Sequence, residues 1–257
     1  METGLRGRTA LVPGSTAGLG LASARLLAGE GANVVLAGRR GDLAAAEAAR
    51  LPSAVGLGVD LTEADAVDRL VGAATERFGG VDVLVLNSGG PRPGGATELT
   101  PESAAEALEL LLMQQIRLVR ALLPGMRERG WGRIVAIGSS GVQAPLEGLA
   151  LSNTGRGALA GYLKTLAAEV AGDGVTVNMV LPGRITTDRV ASLDRARADR
   201  TGTSPEEVKA AAEASIPARR YGTAEEFASA VVYLASDAAS YVTGVQLRVD
   251  GGLVRSY

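Results

Sequence analysis

The chain has 257 residues, 46% of them hydrophobic and 21% charged, with a net charge of −2. That is enough apolar material for a full core and no signature of disorder. With no cysteine and no histidine, the chain cannot form disulfides, Cys/His zinc sites, thiolate nucleophiles or any Ser-His-Asp triad. Acidic and basic residues are mixed along its length, so no nucleic-acid partner is expected. Charges, Gly or Pro interrupt every apolar run before it reaches membrane-span length, so no membrane association is expected. The first residues lack the apolar core of a signal peptide, and a cytoplasmic location follows as an expectation.

Strand-like and helix-like segments alternate from end to end. Residues 9–12 read as a strand that runs into a glycine-rich turn, followed by a helix to about Glu30. Strands are predicted over 33–37 and 54–59, then a helix over 63–78 with Thr62 as its N-cap. A strand over 81–86 precedes one long helix over 101–129. Residues 133–137 form a strand and 151–171 a helix. Strands over 175–181 and 245–249 bring the total to seven. Near-continuous apolar strands separated by helices imply a parallel sheet covered on both faces. No repeat or linker divides residues 1–257, so a single domain is expected. Residues 184–220 break the rhythm with a dense run of Asp and Arg. They read as a substrate lid inserted in that domain or as a solvated helical excursion.

Six motifs fall at the carboxyl ends of strands, the edge where open α/β sheets bind ligands. In the first, Pro13-Gly14-Ser15-Thr16-Ala17-Gly18-Leu19-Gly20, glycines let the backbone turn tightly and approach a pyrophosphate at a helix N-terminus. Gly14, Ser15, Thr16, Gly18, Leu19 and Gly20 are therefore candidate cofactor contacts. After the second strand, Gly38-Arg39-Arg40 stands where an acidic residue would hold an unmodified ribose. Arg39 and Arg40 favour a 2′-phosphate, hence NADP(H) over NAD(H), unless they are a solvated pair. Asp60, followed by Leu61, either accepts from an adenine amino group or caps the next helix. Asn87-Ser88-Gly89-Gly90 leaves room for a flat ligand, and Asn87 can fix backbone geometry. Ser139 and Ser140 end the fifth strand, and Pro182-Gly183-Arg184-Ile185-Thr186-Thr187 ends the sixth.

Taken with Gly132-Arg133-Ile134-Val135, Val175-Thr176-Val177-Asn178 and Val249-Asp250-Gly251-Gly252, these residues resemble the short-chain dehydrogenase/reductase family over essentially the whole chain. The resemblance is greatest to bacterial 3-oxoacyl-[acyl-carrier-protein] reductases. It implies a three-layer α/β/α Rossmann-type fold and a homodimer or homotetramer. That assembly would form through the long helix and the helix beginning near Leu151. It further implies that Gly14, Gly18 and Gly20 line the pyrophosphate, that Asp60 and Leu61 bracket the adenine, and that Asn87 and Gly89 lie under the ribose. Pro182, Gly183, Ile185 and Thr187 would touch the nicotinamide end.

The departures from that family are specific. Its glycine turn begins with Thr, where this chain has Pro13. Its Asn-Asn-Ala-Gly turn is replaced here by Leu86-Asn87-Ser88-Gly89. Of its catalytic Asn, Ser, Tyr and Lys, only the serine is kept, as Ser139. The other three positions fall on Leu111, Ser152 and Arg156. Serine is a far weaker acid than a phenol and ends short of its reach. Arginine keeps the charge but does not shuttle protons. Tyr162 lies roughly three helical turns past Ser152 and does not substitute. Ser152 and Arg156 are four residues apart and share a helix face, with Asn153 turned away from it. Arg156 there suits an anion, or pairs with a neighbouring helix.

The expected function is therefore a divergent NADP(H)-dependent carbonyl reductase or alcohol dehydrogenase built on Ser139, Ser152 and Arg156. Its substrate would be a small molecule, an acyl thioester or an anion. The alternatives are a non-catalytic nucleotide- or acyl-anion-binding protein, or a different reaction in the same pocket.

Overall fold

The computed structural model describes residues 2–256. The first half runs β1 (Thr9–Pro13), α1 (Gly18–Gly29), β2 (Asn33–Gly38), α2 (Gly41–Ala48), β3 (Ala54–Gly58), α3 (Ala66–Phe78) and β4 (Val83–Leu86). Next come α4 (Pro101–Leu108), α5 (Gln114–Glu128), β5 (Gly132–Ile137), α6 (Ala150–Val170) and β6 (Val175–Pro182). The chain ends with α7 (Asp188–Thr201), α8 (Pro205–Ser215), α9 (Ala224–Ala235) and β7 (Gln246–Val249). All seven strands pair in parallel in the order β3-β2-β1-β4-β5-β6-β7. The order reverses between β1 and β4, so the connections leaving those two strands diverge and open a crevice at their carboxyl ends.

The unbroken apolar strands are explained by burial on both faces. Leu11, Leu84, Ile134 and Val177 join a core with Leu70, Leu118 and Leu163 from α3, α5 and α6. On the same strands, Val12, Val83, Val135 and Val180 point the other way, into a core with Leu27 of α1 and Phe227 and Val231 of α9. Each such side chain contributes roughly 1.5–3 kcal/mol when fully buried, so both helical layers are held by the same short strands.

Three local features differ from what the sequence suggests. The helix expected to open after Thr62 begins at Ala66 and is preceded by Asp65. Thr62 instead donates both its N–H (3.0 Å) and its hydroxyl (2.8 Å) to Asp60 Oδ1, a side-chain-closed turn that competes with helix initiation. The long helix is interrupted by a π-turn over Glu109–Met113. Ala-rich α2 adds a short helix between β2 and β3 that the strand pattern does not announce.

The charged stretch between β6 and α9 is folded into α7 and α8 and tied down by one buried carboxylate. Asp194, only 5% exposed, accepts from Arg184 Nη1 at 2.6 Å and from the Tyr221 hydroxyl at 2.9 Å. Arg184 follows β6 and Tyr221 precedes α9, so a single residue of α7 holds both roots of the excursion. Burial and the bond to Asp194 push the Tyr221 phenol up to about 12, so it remains a donor. Among the described residues no helix is long and apolar enough to cross a membrane.

Candidate active site

A cavity of about 540 Å³ opens at the carboxyl edge of the sheet. It is lined by Gly14, Gly18, Leu19 and Gly20 from the turn after β1, and by Asn87 and Gly89 after β4. Ser139 reaches it from the end of β5, Ser152 and Arg156 from α6, and Pro182, Gly183, Ile185 and Thr187 from the end of β6. Residues from four separate strand ends thus converge on one space.

The glycine turn is clamped by Asn87. Its side-chain amide donates to the carbonyls of Pro13 (3.0 Å) and Gly14 (3.1 Å). Gly14 has φ of +61°, a conformation that favours glycine, and a Cβ there would lie 2.7 Å from Asn87 Nδ2. Pro13 is accommodated as the last residue of β1, where its carbonyl is the group in use. The turn delivers the chain to α1, whose start is open, as are those of α2, α3 and α6. No side chain caps it at Ala17, and its first turn holds no acidic residue. By contrast α7, α8 and α9 are capped by Thr187, Ser204 and Thr223. The free N–H groups and positive dipole end of α1 therefore face the cavity without an internal acceptor.

Several sequence candidates lie outside the cavity. Ser15 is fully buried; its hydroxyl donates to the Val12 carbonyl (2.6 Å) and accepts from Ala37 N–H (3.1 Å). Its side chain therefore knits the turn to β2 and presents nothing to a ligand. Thr16 Oγ1 accepts from Arg40 at 3.1 Å, bringing the first turn against the end of β2. Gly38 permits that approach, since a Cβ there would fall 2.9 Å from the Thr16 methyl. Arg39 and Arg40 are exposed. Asp60 is held low by the Thr62 N–H and hydroxyl, and Leu61 packs partly against the core.

At the other end, Ser139 Oγ accepts from Gly141 N–H at 3.1 Å, which leaves its proton free to be donated. Arg156 Nη1 donates to the Ile137 carbonyl at 2.6 Å. The guanidinium sits deep in the cavity wall, and burial, reinforced by the like charge of Arg189, brings it down to about 10. It is still charged at neutral pH. Leu111, 1% exposed in the π-turn, packs on Gly155, where a Cβ would meet its Cδ1 at 2.7 Å. Among the described residues neither a tyrosine nor a lysine lines the cavity. Tyr162 packs against the core, and Lys164 donates to the Gly244 carbonyl at 2.8 Å. Asn153 packs against Gly141 and makes a reciprocal pair with the backbone of Leu146 (2.9 and 3.3 Å). That pair fixes the loop over 146–149, which forms one cavity wall.

Motif reasoning does not find that loop, nor Arg189, Arg197 and Arg200 of α7, nor Leu253, all of which line the cavity. The density of arginines over 184–220 is the one signal that points toward them.

A family model described as enoyl-(acyl carrier protein) reductase matches residues 14–254. The chain is 36% identical over 255 residues to the 3-oxoacyl-[acyl-carrier-protein] reductase FabG of Vibrio cholerae, covering 97% of this chain and 98% of that one. It is 34% identical over 257 residues to the D-beta-hydroxybutyrate dehydrogenase of Cupriavidus necator, covering 97% and 99%. The solved structure of L-sorbose reductase from Gluconobacter frateurii, complexed with NADPH and L-sorbose, matches with a TM-score of 0.93. The match is at 33% identity and covers all of both chains.

Proposed function

The chain belongs to the short-chain dehydrogenase/reductase family, and from that premise we propose that it is an NADPH-dependent reductase of small carbonyl compounds that works without a phenol–ammonium pair. The observation that carries this is the convergence of Ser139, Ser152 and Arg156 on the cavity that the glycine turn and Asn87 also line. The uncapped start of α1 fits the cofactor: a dinucleotide pyrophosphate supplies the acceptors that its N–H groups lack. Gly14, Gly18 and Gly20 would hold that group, and Pro182, Gly183, Ile185 and Thr187 the nicotinamide end. NADPH, when bound, supplies the hydride.

The chain's own residues then handle the substrate oxygen. Ser139, its acceptor side engaged by Gly141, donates its hydroxyl proton toward that oxygen. Arg156 stabilises the negative charge the oxygen develops, an electrostatic contribution that is strong in a poorly solvated cavity. Ser139 keeps its own proton in that hydrogen bond, and a water held at the Ser152 hydroxyl would relay from solvent the one proton that completes the alcohol, because Arg156 stays protonated. The deciding experiment follows NADPH consumption with a panel of 3-oxoacyl thioesters, ketones and oxo acids. Turnover of at least one class is expected. NADPH bound with no oxidation across the panel would overturn the reductase reading and leave the non-catalytic binding protein or a different reaction in the same pocket.

Cofactor choice has its own test. Arg39→Ala with Arg40→Ala should weaken NADPH by about tenfold or more, the value of one or two charge-assisted phosphate contacts. NADH affinity, read by the same calorimetry, should move by less than about twofold. Equal loss for both cofactors would mean that the pair only braces Thr16.

A further inference from the structure

Arg156 and Arg189 line the same cavity, and each is anchored through one nitrogen to a backbone carbonyl. Arg156 uses Ile137 O at 2.6 Å, and Arg189 uses Pro91 O at 2.7 Å. Arg189 lies across Gly90, its guanidinium 3.0 to 3.2 Å from where a Cβ would stand. Neither has a carboxylate partner among the described residues, whereas Arg184 on the same cavity is neutralised by Asp194. Like charges collected without a counterion are unfavourable, and this occurs in a chain whose net charge is −2. Arg197 and Arg200 add to the positive rim, against Glu147 and Asp188.

We infer that the partly buried Arg156 and the exposed Arg189, which line the same cavity, form one anion-holding site that takes a carboxylate carried by the substrate, making short oxo acids the preferred class. The inference rests on the reductase reading for its reaction, but not for its binding. Two points favour the substrate over the cofactor as the source of the anion. The cofactor's own phosphates find acceptor-free N–H groups at α1 and the Arg39–Arg40 pair, at the other end of the crevice. Arg156 instead holds the end of β5, beside Ser139, and shares a helix face with Ser152. Residues four apart on a helix have Cβ atoms about 5–6 Å apart. Arg156 bonds Ile137 through Nη1 alone, so its remaining N–H groups can share a substrate carboxylate with Arg189 and still meet the oxygen of a ketone one or two carbons away, beside the two serines.

The test is calorimetric titration of the full-length protein, loaded with NADP⁺, using acetoacetate and its methyl ester. The two ligands share the ketone and differ in charge. Acetoacetate should bind at least about tenfold more tightly. Arg189→Gln should erase that preference while NADPH affinity changes by less than about twofold. Arg156→Gln should do the same, and if it fails to fold, the exposed Arg189 variant decides alone. Equal affinity for the two ligands overturns the inference, as does no binding of either at about 10 mM. A loss in Arg189→Gln that falls on NADPH assigns the pair to the cofactor and overturns it too. Failure of the reductase reading shows separately, as absent NADPH binding or oxidation. The acetoacetate preference is then measured on the protein without nucleotide.

Discussion

Gly20→Val is expected to abolish useful NADPH binding, raising the dissociation constant at least about a hundredfold, ~3 kcal/mol. Position 20 is in the first turn of α1, where the helix passes under the glycine loop. A Cβ there would stand 2.6 Å from both Asn87 Nδ2 and the Gly14 carbonyl. The valine must push Asn87 out of its bonds to Pro13 and Gly14 and lift the turn off the helix. Two partly buried carbonyls lose their donor, and overpacking adds strain. Together these cost ~2–4 kcal/mol, a fall of about 5–15 °C in Tm for a chain of this size. Binding suffers more than stability because a pyrophosphate must meet several N–H groups at once. A graded glycine series separates the causes. Gly18→Ala meets only ordinary contact, 3.8 Å from the Thr187 methyl, but carries strain at φ +57°; it should cost roughly 1 kcal/mol. Gly29→Ala, with nothing within 4 Å, should leave NADPH binding unchanged and be neutral or stabilising by up to ~1 kcal/mol. A Gly20→Val protein that is folded and binds NADPH like the parent would remove the glycine turn from the cofactor site.

What could be read in the sequence follows from how local each signal is. The strands are legible because parallel strands buried on both faces must be apolar at nearly every position, as Val83-Leu84-Val85-Leu86 is. The convergence of motifs at one edge is legible because parallel strands all end on the same side. Legibility fails where a side chain answers to a partner far along the chain. Thr62 reads as a cap, but it bonds Asp60 and the helix starts later. Ser15 reads as a ligand contact, but Ala37, from the neighbouring strand, takes it. The loop over 146–149 becomes a wall because Asn153 holds Leu146 and the distant Gly94 bridges Gly148 and Leu149. The arginines of α7 reach the cavity because Asp194 ties that helix to Arg184 and Tyr221, two contacts with no local pattern.

Ser152→Tyr combined with Arg156→Lys is expected to raise turnover of simple ketones about a hundredfold, the lower end of what a positioned general acid supplies. The cavity has room for a phenol at position 152, since its volume is about 540 Å³ and Ser152 lines it. The sharper readout is pH. In the parent, the group at position 156 is a guanidinium brought down to about 10. It is charged at every lower pH, and Ser152 does not titrate, so the rate of ketone reduction should be level until the pH nears that value. Above it the charge is lost and the rate falls. In the double variant the acid is the new phenol, with an ammonium one helical turn away lowering it by ~1–3 units from its usual 10. Reduction needs that phenol protonated, so its rate must decline as pH rises through the lowered value, earlier than in the parent. Leu111 limits the gain, because it packs an apolar side chain on Gly155, next to position 156, where an amide would offer hydrogen bonds. Adding Leu111→Asn should therefore raise the double variant further and leave the parent nearly unmoved. A double variant that folds, binds NADPH and yet keeps both the parent's rate and its level profile would show that positions 152 and 156 do not face the reacting oxygen. The chemistry would then have to be sought among Ser139 and the arginines of α7.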